Sequence, residues 1–212
     1  MKTTSKILVV AILALGVQLN SCKKYEDGPA ISLKSKNKRL VGDWELEKLV
    51  GTSSYEDFLN YSYSDFLGGT INFSSSEKNN MEISFENGKL SYNYIMEYSD
   101  ISPYDTINET DSDIYTENYF ENLTISENSN YSWSSGGDSS SFTQNDVWSW
   151  LDGTSNKELI MFNDMVTFRI LKLTKDELVF ESANAYENTY DFSNQKGSIK
   201  EETYMKYTFK KK

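Results

Sequence analysis

The strongest constraint on the fold is a period-two alternation on either side of a two-residue turn. Met81, Ile83 and Phe85 alternate with Glu82, Ser84 and Glu86. Asn87-Gly88 follows, a pair that tolerates the positive φ values of a type I′ turn. The return segment sets Leu90, Tyr92, Tyr94, Met96 and Tyr98 on one face, with Ser91, Asn93 and Glu97 on the other. A chain patterned this way forms an antiparallel hairpin with one face turned to a core.

The rest of the chain repeats the theme in short pieces. Strands are expected at Trp44–Val50, Thr70–Phe73, Phe120–Ser126, Tyr131–Ser134 and Val147–Leu151. Further ones are expected at Leu159–Phe162, Val166–Leu173, Glu177–Glu181 and Thr203–Phe209. Gly68-Gly69, Gly136-Gly137, Asp152-Gly153 and Thr174-Lys175-Asp176 supply turns between them. The spacing of apolar residues over Tyr55–Phe66 fits a short helix, and Ser134–Ser141 fits a flexible hairpin tip. About ten short strands in succession mean an antiparallel barrel or sandwich.

Composition sets limits on chemistry. With 38% hydrophobic and 25% charged residues the chain has material for a core. It has no histidine and one cysteine, which excludes imidazole acid–base catalysis, His-ligated metals, intramolecular disulfides and cysteine-cluster metal sites. The net charge of −11 argues against binding nucleic acid through phosphate neutralisation. No Lys or Arg lies between Lys89 and Lys157, a stretch with twelve acids, among them Glu97, Asp100, Glu109, Asp111, Asp113 and Glu121. Its densest part, about residues 99–118, reads as a long acidic loop or insertion.

The amino terminus reads as an address. Lys2 and Lys6 precede an apolar run, Ile7–Val17, too short to span a bilayer, which takes roughly 20 residues. Leu19-Asn20-Ser21-Cys22 then resembles a bacterial lipobox, which implies a diacylglyceryl group on the Cys22 sulfur, cleavage before it and acylation of the new terminus. Residues 1–21 are thus expected to be a lipoprotein signal peptide and 22–39 a polar tether with a basic run, Lys34, Lys36, Lys38 and Arg39. Such a run is either a solvated segment or a patch for anionic head groups.

The domain that follows, residues 40–212, resembles the lipocalin-like domains of Bacteroidota lipoproteins. Three stretches carry the likeness. Arg39-Leu40-Val41-Gly42-Asp43-Trp44 is similar to their L-x-G-x-W opening, Trp148-Ser149-Trp150 with Asp152-Gly153 to a later hairpin, and Phe168–Leu178 to the penultimate one. The lead Cys22–Pro29, with Glu26-Asp27, is similar to the start of such lipoproteins and to their acidic surface-export signals. The resemblance covers the ends of the mature chain and not residues 99–145. It implies an up-and-down lipocalin-like β-barrel, anchored at the cell outer membrane on its periplasmic or outer side, whose mouth takes a small apolar or amphipathic molecule.

Trp44, in that frame, plugs the closed end of the barrel. Tyr92 and Tyr94, and Trp148 and Trp150, share strand faces and are either core packing or a ligand-lining wall. Asp111 and Asp113 carry hard oxygens suited to calcium, or belong to a solvated acidic segment. Thr106 stands in Asp105-Thr106-Ile107, which resembles a three-residue O-glycosylation motif of Bacteroidota exported proteins. No pair of carboxylates stands out for glycosidase chemistry, no catalytic residue is assigned, and no cofactor is expected. Two functions follow. One is a lipid-anchored binding module; the other is a structural or interaction lipoprotein with a packed barrel and an acidic face toward a protein partner of unknown identity. Pairing of the first and last strands would gather the basic tether and Lys210–Lys212 at the anchored end and send residues 99–118 to the opposite one.

Overall fold

The computed structural model describes residues 35–64, 66–138, 140–151, 158–163 and 166–212. Cys22, the lipobox and the Asp152-Gly153 turn lie outside these. One short helix, α1 (Lys36–Leu40), precedes ten strands: β1 (Gly42–Ser64), β2 (Thr70–Glu86), β3 (Lys89–Ile101), β4 (Thr106–Ile125) and β5 (Asn130–Gly137), then β6 (Ser141–Trp150), β7 (Leu159–Phe162), β8 (Val166–Leu173), β9 (Glu177–Phe192) and β10 (Gln195–Lys211). Each strand pairs antiparallel with the next, and β1 pairs with β10, so the sheet closes on itself.

The ring has two storeys. At the base, Gly42–Glu45 of β1 pair with Ile125–Asn122 of β4. The sequence of pairs there is an eight-stranded circuit that leaves out β2 and β3. An irregularity between Leu46 and Lys48 parts β1 from β4, and the β2–β3 hairpin enters the gap. Its turn stands at the fork: Asn87 and Gly88 have φ of 54° and 76°, and the Tyr119 amide of β4 donates to the Gly88 carbonyl at 3.0 Å. The two positive φ values are what the Asn-Gly pair supplies.

Above the fork the short strands end and the long ones continue. β4 pairs with β5 over Tyr119–Ile125 only, and β9 pairs with β8 no further along than Glu181. Beyond those points a six-stranded sheet in the order β4-β3-β2-β1-β10-β9 projects from the ring, with β4 and β9 at its edges. Three hairpin turns, near residues 66–69, 102–105 and 193–194, lie at its far end.

The base is the core. Trp44, Leu123, Ile160, Leu173, Phe180 and Phe209 are fully buried there. Burying one such aromatic is worth about 3 kcal/mol. Helix α1 seals this end: Trp44 Nε1 donates to the Leu40 carbonyl at 2.8 Å, and Arg39 Nη1 to the Leu173 carbonyl at 2.9 Å. Lys211 Nζ, paired across from Trp44, lies 4.8 Å from its ring centroid and donates to the Val41 carbonyl at 2.7 Å. The plug expected of Trp44 is in place. Lys36, Lys38, Arg39 and Lys210–Lys212 gather at this end, and the turn after Ile101 lies at the other.

Two expectations are corrected. Tyr55–Phe66 is not a helix: residues through Ser64 continue β1, hydrogen-bonded on both sides by β10 and β2. Tyr55, Asp57, Leu59, Tyr61 and Tyr63 share one face, and the helix-like spacing arises because Phe58 sits on the other. Residues 99–118 are not a loop either. They are the end of β3, a turn at Ser102–Asp105 and most of β4. The acids of β4 there, Glu109, Asp111, Asp113 and Glu117, all fall on one face, which an exposed strand accommodates. Leu159–Phe162 and Val166–Leu173 have the bounds expected, and the other strands are found where expected with shifted or longer bounds: Thr70–Phe73 and the Met81 segment form one strand, and Thr203–Phe209 begins at Gln195. Ser134–Gly137 belong to β5, and Asp138 in the following turn accepts from the Asn118 amide and side chain at 3.1 and 2.7 Å.

Candidate functional site

Where the closed ring gives way to the open sheet, the lumen holds a cavity of about 350 Å³. Alternation along the strands builds it. Leu49 of β1, Ile83 of β2, Leu90 and Tyr92 of β3, and Met205 and Tyr207 of β10 line one side. Tyr119 and Glu121 of β4, Trp133 and Ser135 of β5 and Phe142 and Gln144 of β6 line the other. A partly apolar pocket with few polar groups suits a small amphipathic molecule, and its volume is at the low end of ligand sites.

Glu121 is the chemical centre. It is 5% exposed, the buried charged residue of the core. Trp133 Nε1 donates to its Oε1, and the Tyr119 hydroxyl donates to Oε2 at 3.1 Å. No cation lies among these partners. Burial pushes the Glu121 carboxyl up to about 7, and the hydrogen bonds from Trp133 and Tyr119 recover only part of that cost. The neighbouring phenols respond in kind: burial, then the Glu121 charge, raises both Tyr119 and Tyr207 well above the ordinary range. A titratable acid held among aromatic rings, with lone pairs to spare, can accept from an amine or hydroxyl.

The four aromatic residues singled out by sequence part company. Tyr92 lines the cavity. Tyr94 is on the same face one step further out and donates to Asn79 Oδ1 at 2.9 Å. Trp148 and Trp150 pack against each other edge-on, centroids 5.9 Å apart, and belong to the base. Trp148 Nε1 donates to the Ser126 carbonyl at 3.2 Å and Trp150 Nε1 to Asn37 Oδ1 at 3.0 Å. Neither lines this cavity. Asp111 and Asp113 lie exposed on β4, each accepting from the amide of the next residue at 2.9 and 2.7 Å. Among the described residues no group of three or more His, Cys, Asp or Glu is placed to hold a metal ion. Thr106 is exposed at the first position of β4.

Glu121, Tyr119, Trp133 and Tyr207 were not picked out as site residues from sequence. A signal existed: Tyr119, Glu121, Leu123 and Ile125 alternate, which sets a lone acid on an otherwise apolar face.

Compared with known protein families and with characterised proteins, the chain matches none. Among solved structures it overlaps the InvG secretin domain β-barrel from the Salmonella SPI-1 injectisome NC-base at 7% identity, over 80% of this chain and 62% of that one, with a TM-score of 0.18. The chain therefore spans less than two thirds of that protein, and an overlap of this quality carries no argument about fold or function.

Proposed function

We propose that this chain is a lipid-anchored protein of the bacterial outer membrane whose lipocalin-like barrel holds a small amphipathic molecule in the lumen. The observation that carries the reading is the cavity of about 350 Å³ with Glu121 buried in its wall and no cation beside it. An apolar body would rest on Leu49, Ile83, Leu90 and Met205, and a donor group would meet Glu121. No catalytic role is proposed for any of these residues.

A neutral fluorophore, N-phenyl-1-naphthylamine, tests the pocket. It is expected to brighten on binding the soluble Cys22→Ser protein in buffer without detergent. Ser135→Trp, which fills the mouth, is expected to weaken that binding at least tenfold. Unchanged binding in the variant, or none in the parent protein, overturns the pocket.

The anchor rests on Cys22 at the end of the Ile7–Val17 run. Acyl chains contribute about 0.8 kcal/mol per buried CH₂, and two or more hold a protein firmly. Cys22→Ser is expected to shift the secreted protein from the membrane to the soluble fraction on cell fractionation. Retention equal to wild type overturns the anchor and leaves the pocket untouched. An anchor at the α1 end would place the basic cluster against anionic head groups and hold the projecting sheet away from them.

A further inference from the structure

The sheet that projects above the ring has a second layer on neither face among the described residues, and its two faces differ in charge. Register fixes which residues share a face. One rung runs Tyr186, Glu201, Tyr55, Asn79, Met96, Asp111 across the six strands. The next runs Asn188, Ile199, Asp57, Glu77, Tyr98, Glu109. Asp100 lies one rung above these, Asp113 one below, and Glu117 at the level where the lumen begins. This face is continuous with the cavity wall through Tyr92, which stacks on Tyr115 at 6.3 Å between centroids.

Eight carboxylates therefore share the inner face, with no Lys or Arg among its described residues. The lysines of the sheet, Lys48, Lys78, Lys89, Lys196, Lys200 and Lys206, all fall on the opposite face. There they meet acids: Lys78 pairs with Glu56 at 3.4 Å, Lys196 with Asp191 and Lys200 with Glu202 at 2.9 Å each. Among the described residues the inner acids have no such partners, and they stand among tyrosine rings, whose faces attract cations. Six strands at about 4.8 Å spacing make a surface about 24 Å wide, room for an extended chain.

We propose that this inner face is a docking surface for a cationic polypeptide segment, lysine- or arginine-rich, which lies across the tyrosines and neutralises the carboxylates. Charge complementarity selects the occupant. A second copy of this chain would bring the same uncompensated acids against these, and an anionic lipid or nucleic acid would be repelled. A compact divalent ion would neutralise one or two acids and leave the rings unused. The proposal stands whether or not the lumen holds a ligand.

Fluorescein-labelled decalysine serves as the probe, followed by anisotropy with the full chain in non-ionic detergent. The variant Glu109→Gln, Asp111→Asn, Asp113→Asn, Glu117→Gln removes four inner charges and relieves repulsion, so it should fold. A control, Glu82→Gln, Glu86→Gln, Glu97→Gln, Glu187→Gln, removes four charges from the outer face. The first is expected to bind at least tenfold more weakly than wild type and the second within threefold of it. Equal losses would mean that net charge alone attracts the peptide and would overturn the surface, as would absent binding in the wild type. Carbodiimide coupling of unlabelled decalysine to the wild type gives a second reading. Amide bonds are expected at Glu77, Glu109, Asp111 and Asp113, and coupling mainly at Glu82, Glu86 and Glu97 counts against the proposal. Displacement of the probe by 1 mM calcium with two- or three-site binding by calorimetry assigns the face to a metal ion, and a concentration-dependent dimer that excludes the probe assigns it to a second copy. Either outcome overturns it.

Discussion

Trp133→Ala is expected to destabilise the barrel by about 4 kcal/mol, read from urea unfolding at neutral pH. The indole is the hub of the aromatic core: Phe162, Phe168, Tyr207, Phe180 and Phe209 surround it with ring centroids 5.5, 5.8, 5.9, 6.0 and 6.1 Å away. These belong to β7, β8, β10 and β9, so one side chain on β5 ties opposite walls of the ring together. Two costs combine in its truncation. A cavity opens among rings that can close on it only in part, and Glu121 loses the donor on Oε1. Trp133→Phe removes the N–H but keeps one aromatic ring in the site and leaves a smaller cavity, so its loss should be about half that of the alanine variant. A loss below about 1 kcal/mol for Trp133→Ala would mean that the upper core is loosely packed and the aromatic contacts carry little.

The hairpin around Asn87-Gly88 was readable in the sequence because its information is local. Alternating apolar residues set the faces, and the turn residues set the register. The buried start of β1 was readable too, since Trp44 and Leu46 alternate with Asp43, Glu45 and Glu47. Reading failed where the apolar pattern is broken or sparse. Phe58 interrupts the alternation of Tyr55, Leu59, Tyr61 and Tyr63, and residues 106–118 carry few apolar side chains on either face because among the described residues no second layer covers the sheet, so such segments look like a helix or a loop. What holds them as strands is hydrogen bonding to sequence-distant partners, β10 at Tyr55 and β3 at Asp111. The site followed the same division. Tyr92 faces the lumen by simple alternation. Trp148 and Trp150 alternate equally well but pair with β7 at the base, a height no local pattern specifies. Glu121 becomes buried because Asn122–Ile125 are pinned against β1, a contact made across a long stretch of chain, while the β4–β5 hairpin sets Leu123 against Trp133.

The same carboxyl gives the second large effect, a stability that falls as pH rises. Glu121 has a folded-state pKa of about 7 against an ordinary 4.5. Below pH 4.5 both folded and unfolded chains hold the proton, and the group leaves stability unchanged. Between 4.5 and 7 the unfolded chain releases its proton while the folded one keeps it, so the unfolded state binds fewer protons and stability declines with pH. Above 7 both states are ionised and the decline stops. The gap amounts to about 3 kcal/mol. Other carboxylates titrate in the same interval, so the measurement is a difference: urea unfolding of wild type and Glu121→Gln at matched pH values. Wild type relative to variant should lose about 3 kcal/mol from pH 4.5 to pH 8, nearly all of it below pH 7. Trp133→Phe, which removes one of the two donors holding the carboxylate, should move the end of that decline to higher pH. A difference that stays constant with pH would mean that Glu121 ionises as freely in the fold as in water. The same titration sets the condition for the lumen to attract an amine. Above pH 7 the pocket wall carries a buried negative charge with no cation of its own, and a cationic head group that paired with it would recover part of the stability lost on ionisation.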